Sequence, residues 1–268
     1  MVGCDMQEYV SQLMSALENS IKRCVEGEYE LGILFSGGLD SSLIAYLAKK
    51  HAGDARLCLY TVGLEDSQDL KCSEEAAHLL GMELRKVIIS TEEVLEAVPK
   101  VSHIIGSRHP VKLTFELPLY FCLQHVGEDM VLGGQGADEL FGGYARYLKM
   151  EEEDLESALK TDVKNLIDRD IRMDRRLAAH FQKVLKTPYL DPDVMKTAMD
   201  IPVKVKVDQG RRKIILREAA ARIGLPLNIR KREKRAAQYG SGILKTLRKA
   251  AKGRGMQANE LIEHLLMK

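Results

Sequence analysis

The stretch Leu31–Ser42, LGILFSGGLDSS, limits what this chain can fold into more than any other. Leu31, Ile33, Leu34 and Phe35 form a dense run of apolar residues that predicts a buried strand, and from Ser41 onward apolar residues recur at helical spacing. The intervening loop therefore turns a corner from strand to helix. Gly37 and Gly38 permit left-handed dihedrals and a close approach of backbone to ligand, while Ser36, Ser41 and Ser42 supply hydroxyl donors. N–H groups at such a corner converge beside the positive end of the helix dipole, where a phosphate or pyrophosphate is stabilised. No Lys follows at the Walker A position and no GxGxxG fingerprint is present, so neither of those phosphate sites is expected.

The surrounding chain supplies a sheet for that corner. Residues 6–25 read as an amphipathic helix, residues 55–64 as a second strand and residues 68–80 as a helix stopped by Gly81. A third strand over 83–89 leads into a helix opened by Ser90-Thr91-Glu92-Glu93, a capping-box pattern. Residues 111–125 predict a helix kinked near Pro118, and 128–134 a short strand entering a second glycine loop. Strands alternating with helices predict an α/β fold with a parallel sheet covered by helices on both faces. Beyond residue 145 the charged segments signal only helix. The expected division is a nucleotide-binding part over 1–145 and a helical, basic part over 146–268 that completes the same domain.

Composition adds exclusions. Apolar residues make up 45% of 268, enough for a sizeable core, and the net charge of +1 announces no acidic partner. No run of eighteen apolar residues and no secretory leader pattern is seen, which predicts a cytoplasmic protein without a membrane span. The five cysteines include no CxxC pair, arguing against a disulfide scaffold or zinc knuckle. Between Lys204 and Arg254, 17 basic residues face 3 acidic ones. Such a run could meet RNA, a bound polyphosphate or only solvent, and without interleaved aromatics nucleic-acid binding is not expected.

Two glycine loops at the carboxyl ends of parallel strands are where an open α/β sheet binds its ligand. The first carries Asp40 and the second, GGQGADELFGGY, carries Asp138. Alone, Asp40 would serve as a helix cap and Asp138 as a turn residue. Together they could hold one Mg²⁺, which favours a couple of carboxylates completed by phosphate oxygens and water.

The SGGxDS loop resembles that of the PP-loop ATP pyrophosphatases, which cleave ATP between its α and β phosphates. GGQGADELFGGYARY narrows the resemblance to the synthetase domain of glutamine-hydrolysing asparagine synthetases. IRMDRRLAAHF (171–181), TPYLD (187–191), GRRKIILREAA (210–220) and REKRAAQYGSG (232–242) are similar to further motifs of that domain, in the expected order. The resemblance implies an adenine nucleotide alpha hydrolase-like fold. It implies that Ser36, Gly37, Gly38, Asp40, Ser41 and Ser42 hold the pyrophosphate portion of ATP, and that Leu34, Val62 and Gly134 approach the adenosine through backbone atoms. Asp40 and Asp138 would bind Mg²⁺, and Lys234 would stabilise charge on the departing pyrophosphate.

Departures from the family pattern bear on the acceptor. Gln135 stands where the family has a carboxylate, and Val184 and Lys186 replace charged residues before the PFLD-like motif. Gln135 either orients the reaction intermediate or braces its loop. The amino-terminal glutaminase domain has no counterpart in this sequence, so ammonia is expected from solution or from a separate glutaminase subunit. The expected reaction is adenylation of a carboxylate, aspartate by preference, followed by attack of ammonia. The alternatives are another carboxylate, a tRNA base as in tRNA lysidine synthetase, or a non-catalytic ATP-binding regulator.

Overall fold

The computed structural model describes residues 2–208, 210–232 and 237–267. Five strands form one parallel sheet: β1 (Glu30–Leu34), β2 (Arg56–Gly63), β3 (Glu83–Ile88), β4 (Met130–Leu132) and β5 (Val184–Lys186), in the order β3-β2-β1-β4-β5. The chain winds outward from β1 to β3 and then returns to lay β4 on the other side of β1. The switch point therefore falls between β1 and β4, where Gly32 faces Val131 and Ile33 faces Leu132.

Helices before and between these strands are α1 (Val2–Val25), α2 (Leu39–His51), α3 (Gln68–Leu80), α4 (Thr91–Ile105), α5 (Pro110–His125), α6 (Ala137–Phe141), α7 (Glu152–Asn165) and α8 (Ile171–His180). After β5 come α9 (Pro192–Asp200), a short antiparallel ribbon of β6 (Val207–Asp208) and β7 (Arg211–Arg212), α10 (Ile214–Arg222), α11 (Leu227–Lys231), α12 (Ala237–Gly240), α13 (Ile243–Lys252) and α14 (Ala258–Leu265).

Alternation along the central strands sorts the core into two layers. Leu31, Ile33, Leu59 and Leu132 join α1, α2, α9 and α10 on one face, while Tyr60, Val62 and Val131 join α4, α5, α8 and α13 on the other. Both faces of the sheet are thus covered, as the sequence predicts.

Local signals are honoured closely. Ser90 accepts from the Glu93 N–H while Glu93 accepts from the Ser90 N–H, completing the capping box, and Gly81 ends α3 with φ +58°. The helix over 110–125 continues through Pro118. One expectation fails: the chain beyond residue 145 contains strand as well as helix. Val184–Lys186 pairs with Met130–Leu132 as the fifth strand of the main sheet, and residues 166–170 form a π-helical turn between α7 and α8. The sheet is therefore built from both sides of residue 145.

Candidate active site

The loop after β1 makes the tight turn that its glycines suggest. Gly37 has φ +65°, and a Cβ there would stand 2.5 Å from the Cys72 carbonyl oxygen, so no larger residue fits. Gly38 occupies the N-cap of α2 and Asp40 lies within the first turn, so Asp40 does not cap the helix. The Ser36 N–H donates to Ser41 Oγ at 3.3 Å, and Ser41 Oγ lies 3.4 Å from the Gly38 carbonyl oxygen. The loop after β4 repeats the device: Gly136 caps α6 with φ +95°, and Asp138 follows two residues later.

These two loops aim their acids at one point. Lys213 Nζ lies 2.6 Å from Asp40 Oδ2 and 2.5 Å from Asp138 Oδ1, with the Lys213 side chain only 7% exposed. Lys213 itself has φ +54°, a strained conformation for a residue with a side chain, where it caps α10. Gly143 makes room for the cluster, since a Cβ there would stand 1.7 Å from Asp138 Oδ1 and 2.4 Å from Lys213 Cε. Tyr189, wholly buried in the PFLD-like motif, donates to the Asp40 carbonyl oxygen at 3.1 Å. Among the described residues no group of three or more His, Cys, Asp or Glu forms a metal cluster. A divalent ion here would therefore rest on two carboxylates and complete its shell with phosphate oxygens and water, as Mg²⁺ does.

A cavity of about 350 Å³ opens beside this point. Leu34, Ser36, Asp40, Ser41, Val62, Gly134, Gln135 and Asp138 all line it, so most of the residues selected from the sequence meet in one place. Gly37, Gly38 and Ser42 are not among the lining residues; Ser42 is fully buried with its Oγ unpartnered. Val184 and Lys186 do not line it either: Lys186 Nζ reaches the Cys24 carbonyl oxygen at 3.3 Å. Lys234 lies outside the described residues. Its neighbour Arg232 marks where the basic segment meets the phosphate loop, donating to the Ser36 carbonyl oxygen at 2.5 Å and pairing with Asp69 at 3.1 Å.

The cavity also holds residues that the motifs did not point to. Glu116 on α5 and Asp174 on α8 line it at 4% and 7% exposure, hydrogen-bonded to each other, and Gln135 hydrogen-bonds Asp174. Burial holds the Glu116 carboxyl well above the carboxylate range and raises Asp174 to about 6, an effect the neighbouring Asp170 reinforces. Burial likewise pushes the Cys122 thiol up to about 12, so that cavity wall offers no reactive thiolate. Lys213 had a signal in the sequence, the GRRKIILREAA segment, but nothing marked it as the partner of both acids. Glu116 had a fainter one, as the lone acid in the apolar stretch LTFELPLYF.

The asparagine synthase family model matches residues 12–154 and 148–265. Over 98% of this chain and 54% of its own length, the Methanocaldococcus jannaschii protein named "Putative asparagine synthetase (glutamine-hydrolyzing) 1" is 36% identical. Asparagine synthetase (glutamine-hydrolyzing) 1 of Arabidopsis thaliana is 29% identical over 85% of this chain and 42% of its own. This chain thus spans about half the length of the curated relatives it matches. Among solved structures, NMN synthetase from Francisella tularensis aligns with a TM-score of 0.43 and 16% identity, covering 97% of this chain and 92% of that one. With the family model spanning nearly all of it, the chain belongs to the asparagine synthase family.

Proposed function

We propose that this protein is an ATP-dependent amide-forming ligase, which adenylates a carboxylic acid, releases pyrophosphate and passes the activated acyl group to ammonia. The observation that carries this reading is the convergence of Asp40 and Asp138, from the loops after β1 and β4, on one cationic point at the switch of the sheet. An α/β sheet binds its ligand there, and a polyphosphate needs both a cation and a cradle of N–H donors there.

ATP would place its adenosine against Leu34, Val62 and Gly134 and its phosphates along Ser36–Ser42. Asp40 and Asp138 would hold Mg²⁺, which supplies charge neutralisation to the bridging phosphate oxygens. Lys213 is already aimed at both acids and would share in that neutralisation. Arg232 ties the basic segment to the phosphate loop, which supports Lys234 as a cation facing the pyrophosphate as the α–β bond breaks. Family membership supports aspartate as the acceptor and ammonia as the nucleophile. A separate glutaminase subunit and a cytoplasmic setting accompany this reading; no helix among the described residues is long and apolar enough to cross a membrane.

The test is a product analysis. Purified protein with Mg-ATP, L-aspartate and ammonium should yield AMP, pyrophosphate and asparagine in equal amounts. ADP and phosphate as products, or AMP formation that ignores every carboxylic acid offered, would overturn the assignment.

A further inference from the structure

Gln135 lines the cavity beside Asp40 and Asp138, and its neutral amide cannot accept a proton. Amide formation releases one. When ammonia attacks the acyl-adenylate, the new C–N bond forms at the carbonyl carbon, the bond from that carbon to the AMP oxygen breaks, and AMP leaves with the electron pair. The nitrogen must then shed a proton for a neutral amide to remain. We propose that the buried Glu116–Asp174 carboxyl pair takes that proton, with Asp174 as the accepting group. This rests on the adenylating-ligase reading above.

Three features of the site carry the proposal. Two carboxyl groups hydrogen-bonded to each other must hold a proton between them, so the pair has one acid filled and one free to accept. Both line the same cavity as Asp40, and Gln135 joins the two regions: its neighbour Gly134 lies against Asp40 while its side chain hydrogen-bonds Asp174. Finally, Glu116 Oε2 and Gln135 Oε1 are buried without a hydrogen-bond partner. Both are acceptors, and orphaned acceptors in a cavity wall suit a ligand that presents N–H groups, as an attacking amine does.

Hydrogen bonds from Glu116 and Gln135 favour the ionised form of Asp174, against burial and the charge of Asp170. Asp170 acts on it from the π-helical turn and Lys112 from α5, and these two form an ion pair with each other. α4 meets α8 through the apolar cluster containing Val101 and Ile105, and in β5 Lys186 turns away to Glu28 and the Cys24 carbonyl. Asp174 is therefore the group that titrates, at about 6, with the proton held on Glu116. A base poised just below neutrality is suited to take a proton in a transition state at pH 7.

The experiment separates the two half-reactions. Aspartate-dependent exchange of labelled pyrophosphate into ATP reports adenylation, and asparagine formation at fixed free ammonia reports amidation. In the unaltered enzyme the amidation-to-exchange ratio should fall about tenfold per pH unit below about pH 6. Asp174→Asn should keep exchange and lose amidation by roughly 10²-fold to 10⁴-fold. Glu116→Leu should move the amidation inflection to higher pH by removing the donor to Asp174, and Glu116→Gln, whose amide still donates, should bring it back toward the parent value. A flat ratio from pH 5 to 8, or Asp174→Asn amidating as fast as the parent, would overturn the proposal while leaving adenylation intact. Absence of exchange at every pH would instead overturn the ligase reading, and this one with it. Should Asp174→Asn fail to fold, the parent profile and the Glu116→Leu shift decide.

Discussion

Two pairs of acids share one cavity and are kept apart in charge by different means. Asp40 and Asp138 have a lysine ammonium between them, whereas Glu116 and Asp174 have a proton. The difference follows from what surrounds each pair. Asp40 and Asp138 sit in the first turns of helices beside glycine caps, where backbone N–H groups and the helix dipole favour anions. Glu116 and Asp174 lie on the flanks of α5 and α8 among apolar side chains, and desolvation there favours the neutral acid. The first pair holds a cation, and the second favours the neutral, protonated acid.

The largest expected effect breaks the first pair. Asp40→Asn or Asp138→Asn should abolish AMP formation, since losing one of the two carboxylates proposed to hold Mg²⁺ would remove on the order of several kcal/mol of transition-state stabilisation. Turnover near that of the parent would remove the substituted residue from the site. Lys213→Ala should come next, because it strips the cation from buried Asp40 and its half-buried neighbour Asp138. A loss of about 3–5 kcal/mol in denaturant unfolding is expected, partly restored by Mg²⁺. A variant as stable as the parent in chelator would show that Lys213 does not balance the acids.

The second pair should show itself in the pH dependence of stability. The folded-state value of Asp174, about 6, lies above its ordinary one, so the folded protein binds more protons than the unfolded chain between them. Stability should therefore fall as pH rises from about 4 through 6, by on the order of 3 kcal/mol for this group. Asp174→Asn should flatten that decline, and Asp138→Asn should not. The smallest effect is a control remote from both pairs. Ser90→Ala removes one arm of the α4 capping box and should cost about 1 kcal/mol with adenylation unchanged.

The legibility of these features differs for reasons of range. Gly37, Asp40 and Ser41 were readable because a phosphate loop is a local object: strand, glycines and helix start lie within a dozen residues, and backbone geometry demands those residue types. The same holds for Ser90 with Glu93, and for Gly81, whose caps act over three or four positions. β5 was not readable, because three residues, Val184, Leu185 and Lys186, carry no periodicity and pair only where β4 has left an edge.

By itself, the sequence determined the parallel α/β architecture, the phosphate-type corner and the two acids that would share a cation. Only the tertiary structure decided which lysine stands between them, because Lys213 lies 173 residues from Asp40 and meets it through the packing of α10 against α2 and α6. It alone decided that Glu116 and Asp174, 58 positions apart, share a hydrogen bond. A carboxyl's charge depends on the water, dipoles and partners around it, and those are assembled only when distant segments close over one cavity.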